Sequence, residues 1–308
     1  MDGIISVLKP PGMTSHDVVA VLRRLLGVRA VGHTGTLDPG AAGALPVCVG
    51  KATRVAEFIA ATGKAYRAEV TFGFTTDTLD GFGRVTSRQA VRATYEEALA
   101  LIPALTGRVE QVPPMVSAVK YGGKKLYELA RQGQEVERRP REALIEAIRP
   151  VAYNWKQEFP SILFDVFCSK GTYIRTLCAD WGDKLGSGAC MTYLLRTRSG
   201  SFSLDTAWTL EELTQAVQQG DWSFLLPADR GLEHLSALTV KEHRIRALLN
   251  GLSLAAPDYS GALPQAPGNW VRLYGPEGDF LALGLSDEQG QIRPKKVFGF
   301  ETGAEERS

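Results

Sequence analysis

Two stretches of this chain alternate apolar and polar residues with a period of two, and they limit the possible folds more than any other feature. In residues 64–74, Tyr66, Val70, Phe72 and Phe74 fall on one side. In Ser161–Cys168, Ile162, Phe164, Val166 and Cys168 do the same. Period two is the signature of a half-buried strand. Further strands are expected at 3–8, ended by the breaker cluster Lys9-Pro10-Pro11-Gly12, and at 44–49. Helical spacing follows Ser15, a cap candidate, through Val18, Val19, Leu22, Leu25 and Leu26 to the stop at Gly27, and recurs at 94–105, 173–185 and 209–218. These helices and strands do not follow a βαβ rhythm, so the reading is α+β rather than doubly wound.

At 308 residues the chain exceeds what one hydrophobic core serves, and a large part with a smaller one is expected. The pattern breaks near Pro227-Ala228-Asp229, placing the large part at 1–232. Beyond it a short helix (240–249) precedes small strands at 270–274, 280–284 and 295–298, joined by glycine-rich turns that suggest a little barrel over 235–300. Residues 301–308 are polar and expected to be disordered. The charge-rich stretch 120–149 is expected to be a mobile insertion.

No apolar run reaches the roughly 18 residues a membrane span needs, and Met1-Asp2-Gly3 does not open a signal peptide. A cytoplasmic protein without membrane association is expected. Cys48, Cys168, Cys178 and Cys190 lie among apolar neighbours, and the four histidines are scattered. This spacing suits buried hydrophobes rather than a metal site, so no metal and no cofactor are expected. The net charge is only +1, yet residues 1–67 hold eight basic residues against four acids. A local basic face is compatible with a nearly neutral protein.

The unusual segment is 31–54, where glycines at 32, 35, 40, 43 and 50 surround one carboxylate, Asp38. Glycine permits close backbone approach to a ligand, and Pro39 restricts Asp38 to extended backbone. The residues alone also allow a plain connecting turn, since Asp-Pro initiates turns. A phosphate loop does not fit, because Gly50-Lys51 is followed by Ala52-Thr53.

Gly32-His33-Thr34-Gly35-Thr36-Leu37-Asp38-Pro39, with Ala42-Gly43 and Gly50-Lys51-Ala52-Thr53, resembles the signature of TruB-type pseudouridine synthases. The resemblance continues through Lys9-Pro10 with Gly12 and Ser15, Lys64-Ala65-Tyr66, Thr76-Asp77-Thr78 to Asp80 and Gly83, Gln111 to Met115, Ser117 to Lys120, and Gly171-Thr172-Tyr173-Ile174-Arg175. Leu235–Phe300 resembles an RNA-binding PUA domain. One departure is Gly40, where relatives often carry a bulky residue.

The resemblance implies a mixed, mainly antiparallel central sheet flanked by helices, with a PUA-like barrel. It implies a monomeric, cofactor-independent enzyme that flips uridine 55 out of the tRNA T-loop and rejoins the base through C5. Asp38 would be the ionised carboxylate, acting on uracil C6, on ribose C1′ or on the 2′ proton. Arg175 would supply its countercharge, and Tyr66 would stack on the uracil and serve as a candidate for removing the C5 proton. Tyr173 and Leu194 would line the nucleoside pocket, and His33 would support the disrupted stack. Asp80 would order a loop or contact the pocket. Lys9, Lys51, Arg54 and Lys120 are expected to meet phosphates, the insertion to close over the T-arm, and the C-terminal part to reach the acceptor end. Two other readings are an RNA-binding protein without turnover and a glycosidase, the latter lacking a convincing second carboxylate for Asp38.

Overall fold

The computed structural model describes residues 1–117, 119–264 and 268–299, with only the backbone of Lys120. The 301–308 tail lies outside the described residues.

Nine strands form the central sheet: β1 (Gly3–Lys9), β2 (Val31–His33), β3 (Ala42–Val49), β4 (Lys64–Phe72), β5 (Gly107–Gln111), β6 (Arg141–Asn154), β7 (Ser161–Cys168), β8 (Ala189–Ser199) and β9 (Phe202–Ser203). Their order is β1-β3-β8-β4-β7-β6-β5, with β2 on β3 and β9 on β8. Every pairing is antiparallel except the β3/β8 seam, where Ala42 and Gly43 oppose Leu195 and Arg196. The α+β expectation is met.

The alternation in β7 is realised, with Ile162, Phe164, Val166 and Cys168 all buried. Helix Ile174–Leu185 covers this face, setting Trp181 edge-on to Phe72 and Phe164 while its indole N–H donates to the Ala98 carbonyl. Helices Ser15–Leu26 and Leu210–Gln219 bury Val18, Val19, Leu22, Leu213 and Ala216 in a second cluster with β1 and β3 residues. All four cysteines are buried and free.

Several local readings need correction. The N-cap of the first helix is Thr14, not Ser15: Thr14 is extended and exchanges hydrogen bonds with Asp17 in a capping box. Ser15 turns inward, where its hydroxyl accepts the Leu37 N–H at 2.8 Å. Residues 64–74 are not one strand, because β4 ends at Phe72 and Gly73, with φ of 96°, sends Phe74 into a separate hairpin (Phe74–Thr76 with Val85–Arg88). Residues 141–149 do not belong to the supposed insertion. They are the first part of β6, with Ala143, Ile145 and Ile148 buried and the charged side chains outward. A strand with one solvated face is rich in charge without being a loop.

The C-terminal part is a five-stranded sheet of short strands: β10 (Ser236–Val240), β11 (Tyr259–Ser260), β12 (Trp270–Tyr274), β13 (Phe280–Ser286) and β14 (Ile292–Val297), ordered β11-β10-β12-β13-β14. It shares a core with the large part, in which Leu283 and Phe298 meet Ile4, Val55, Phe58 and Ile59. Phe58 stands edge-on to Trp270 at 4.7 Å.

Candidate active site

The loop between β2 and β3 presents Asp38, and its surroundings leave it little freedom. Thr34 ties the loop to Pro46 through its N–H and hydroxyl, Ser15 holds Leu37, and the Gly12 N–H donates to the Pro39 carbonyl at 2.8 Å. Gly43, at φ 126°, lies so close to β8 that a β-carbon there would collide with the Arg196 backbone. The parallel seam therefore requires glycine at this position.

Arg175, in the first turn of helix Ile174–Leu185, is only 4% exposed and approaches Asp38 as a fork, Nε to Oδ2 at 3.0 Å and Nη2 to Oδ1 at 3.3 Å. Two-point contact fixes the carboxylate's orientation as well as its charge. The remaining Arg175 donors reach the Thr78 carbonyl at 3.2 Å and the Val116 carbonyl at 2.7 Å, and Nη1 lies 3.7 Å from Asp80 Oδ2. Asp80 in turn accepts from the Thr78 hydroxyl and the Phe82 N–H. The Asp38 side chain remains 37% exposed, open to an incoming ligand. Its pKa is raised, chiefly by desolvation and further by Asp80, against the opposing pull of Arg175 and Lys9.

On the adjoining strands, register sets which side chains share a face. Tyr66 on β4 opposes Arg196 on β8, and Ala68 opposes Leu194, so Tyr66, Leu194 and Arg196 share one face. Burial raises the Tyr66 phenol pKa, while Arg196 beside it pulls the other way and Asp38 adds a smaller upward push. Tyr173 caps helix Ile174–Leu185, and the Gln111 carboxamide grips it from both sides. Gln111 Oε1 accepts the Tyr173 N–H at 2.9 Å, and Nε2 donates to its carbonyl at 3.2 Å. His33 closes β2 at the base of the loop, half-buried, with Nδ1 enclosed and lacking a hydrogen-bond partner. Burial and the nearby Arg196 lower its pKa, favouring the neutral ring.

The structure thus gathers Asp38, Tyr66, Arg175, Leu194 and Asp80, with Tyr173 two residues before Arg175. Of the residues expected to meet phosphates, Lys9 is turned inward, while Lys51 and Arg54 are exposed beside the C-terminal sheet. Lys9 is fully buried, and its ammonium donates to the carbonyls of Pro10, Met13 and Pro39, an internal brace for the Asp38 loop. Lys51 donates to the Phe298 carbonyl, and Arg54 donates to that of Val297 while lying over the Phe298 ring. Both are engaged with the C-terminal sheet, because their strand-to-helix turn abuts it. The Lys120 side chain lies outside the described residues.

Two residues with clear roles here escaped the sequence reading. Arg196 is 1% exposed, and its guanidinium donates to the carbonyls of Ala44 and Gly35 and to Tyr66. Its signal was an arginine at period-two spacing from Leu194 in a strand otherwise suited to burial. Gln111 was noted only as part of a motif, and its link to Tyr173 spans 62 residues. At Gly40 the ring of Phe82 occupies the space a β-carbon would take.

Comparison with known proteins identifies the family. Residues 23–174 match the family described as "TruB family pseudouridylate synthase (N terminal domain)". Residues 175–233 match "tRNA pseudouridylate synthase B C-terminal domain", and 237–298 match "Pseudouridine synthase II TruB, C-terminal". The chain is 50% identical to the tRNA pseudouridine synthase B of Moorella thermoacetica (strain ATCC 39073 / JCM 9320) over 96% of this chain and 98% of that protein. It is 52% identical to that of Symbiobacterium thermophilum (strain DSM 24528 / JCM 14929 / IAM 14863 / T) over 83% and 84%. The fold superposes with a TM-score of 0.75 and 27% identity on a chain from the structure of an H/ACA RNP bound to a substrate RNA containing 2′-deoxyuridine, covering 96% of this chain and 84% of that one. On sequence, fold and site together, the chain belongs to the TruB family of pseudouridylate synthases.

Proposed function

We propose that this chain isomerises uridine 55 in the T-loop of tRNA to pseudouridine, with Asp38 as the reacting carboxylate. The observation that carries this reading is the two-point Arg175–Asp38 pair, in which the arginine is buried and the carboxylate stays partly exposed. Burial raises the Asp38 pKa and the guanidinium opposes that rise, so the fork favours the ionised form and orients it toward an incoming base.

The uridine enters flipped from its stack, against Tyr66 and Leu194, with Tyr173 at the rim. Asp38 then acts on the nucleoside, by attack or by taking the 2′ proton, while the C1′–N1 bond breaks. The uracil turns, C1′ joins C5, and the C5 proton leaves while N1 ends protonated. No net oxidation occurs. Tyr66 is the base candidate for the C5 proton, and the Arg196 contact stabilises its phenolate form. His33 supports the T-loop after the uridine leaves it. The charged segment ahead of β6 closes over the T-arm, and the C-terminal sheet reaches toward the acceptor end.

The test is incubation of the purified protein with unmodified tRNA, pseudouridine being mapped at base resolution, alongside Asp38→Asn. Conversion of uridine 55 alone, lost in the variant while tRNA binding persists, is the expected result. Tight binding by the wild type with unchanged nucleosides would remove the enzymatic reading.

A further inference from the structure

We infer that Phe82 is a stacking platform for a base of the substrate RNA, beside the nucleotide that meets Asp38. This rests on the pseudouridine synthase reading above. The first observation is exposure: Phe82 is 78% exposed, the most exposed large hydrophobic side chain among the described residues. A phenyl ring so placed contributes almost nothing to a core.

The second observation is rigidity. The loop carrying Phe82 is bound at many points: the Thr76 hydroxyl donates to the Asp80 carbonyl, Thr78 to the Asp80 carboxylate, the Arg84 N–H to Asp77, and the Gly81 N–H to the Met191 carbonyl. Leu79 holds φ at 62°, the only positive φ at a non-glycine residue among those described. A left-handed leucine is strained, and such strain persists only where surrounding contacts over-determine it. The Phe82 N–H itself donates to Asp80, the carboxylate that also faces Arg175. The loop thus holds the Phe82 backbone in place with its ring turned to solvent.

The third observation is position. The edge of the ring lies against Gly40, where any β-carbon would overlap Cε2 and Cζ. Gly40 is two residues after Asp38, so the ring rests on the same loop that presents Asp38. One edge rests on the catalytic loop and most of the ring is free. That geometry suits a nucleobase, since exposed rings on nucleic-acid proteins stack bases irrespective of sequence. The contribution is to affinity, because the ring touches none of the reacting groups.

The experiment compares wild type with Phe82→Ala, Phe82→Leu and Phe82→Tyr as full-length proteins. KM for unmodified tRNA and the single-turnover rate at saturation are measured. Binding of a T-arm hairpin carrying 2-aminopurine at successive loop positions is followed by fluorescence in the Asp38→Asn background. Phe82→Ala is expected to raise KM about tenfold or more, in keeping with base stacking, with the saturated rate within about twofold of wild type. It should abolish quenching of one loop position. Phe82→Tyr should restore both, and Phe82→Leu neither, while the thermal midpoint stays unchanged throughout. Equal rescue by leucine would mark the ring as a spacer over Gly40 and overturn the proposal, as would a KM indifferent to Phe82→Ala. Wild-type protein that quenches the probe through Phe82 yet never isomerises uridine would sink the synthase reading alone.

Discussion

Cations gather in two places in this molecule, and the same side-chain chemistry does different work in each. Around the Asp38 loop, Lys9, Arg175 and Arg196 are almost wholly withdrawn from water and donate to carbonyls and to Asp38. At the junction with the C-terminal sheet, Lys51, Arg54 and Lys296 make contacts of similar length, but near solvent. Water can replace a partner lost at the junction. Inside, nothing can, and an abandoned carbonyl costs about 1–3 kcal/mol. The inner set is therefore rigid and specific, whereas the outer set fastens two already shared cores.

The comparison breaks if the inner cations prove dispensable. Arg175→Leu should have the largest effect, a fall in single-turnover rate of about a thousandfold or more, the scale of a lost electrostatic partner at a reacting group. A rate near wild type would deny the fork its role. Arg196→Met comes next, with a loss of about 2–4 kcal/mol in urea unfolding, because two carbonyls and the Tyr66 phenol lose their donor.

Titration sharpens the contrast. Asp38 has a raised pKa and, in the proposed reaction, works ionised, so activity should fall on the acid side with an apparent pKa above the ordinary carboxylate value. Asp80→Asn removes one source of the upward push, and the acid limb should move to lower pH. An unmoved limb would mean that Asp38 does not set it. For Lys9, burial lowers the pKa from 10.5 to about 8. Below pH 8 the ammonium is held in both folded and unfolded chains, and its burial is fully unfavourable. Between pH 8 and 10.5 the unfolded chain binds the extra proton, so this group's contribution to stability rises with pH. The urea midpoint of the wild type relative to Lys9→Met should increase across that window. The smallest effect belongs to the outer set, where Lys51→Ala and Arg54→Ala should each change stability by no more than about 1 kcal/mol.

Legibility in the sequence followed the range of the interactions. Strands β4 and β7 and the helices over β7 were readable, because their patterns repeat within a few residues. Asp38 was conspicuous for its glycines, and resemblance supplied Tyr66 and Arg175. Lys9 was expected to meet phosphates because a lysine carries no mark of what will fold over it. Lys9 follows an apolar strand into a turn, and only the tertiary approach of Pro39 closes it off. Lys51 and Arg54 meet residues more than two hundred positions away. The 141–149 error arose differently: exposed charges on one face of β6 masked the buried residues of the other.

The parallel seam of β3 and β8 also bears on the order in which a newborn chain becomes competent. Gly43 pairs with Arg196 across the sheet, with β4 and β7 already interposed in sequence. Such distant pairings close late, after local hairpins and helices have formed. During synthesis, a chain emerging from the ribosome has exposed Asp38 long before residues 175 and 196 exist to hold it. The carboxylate therefore matures last, and a prematurely terminated product ending before β8 is chemically silent.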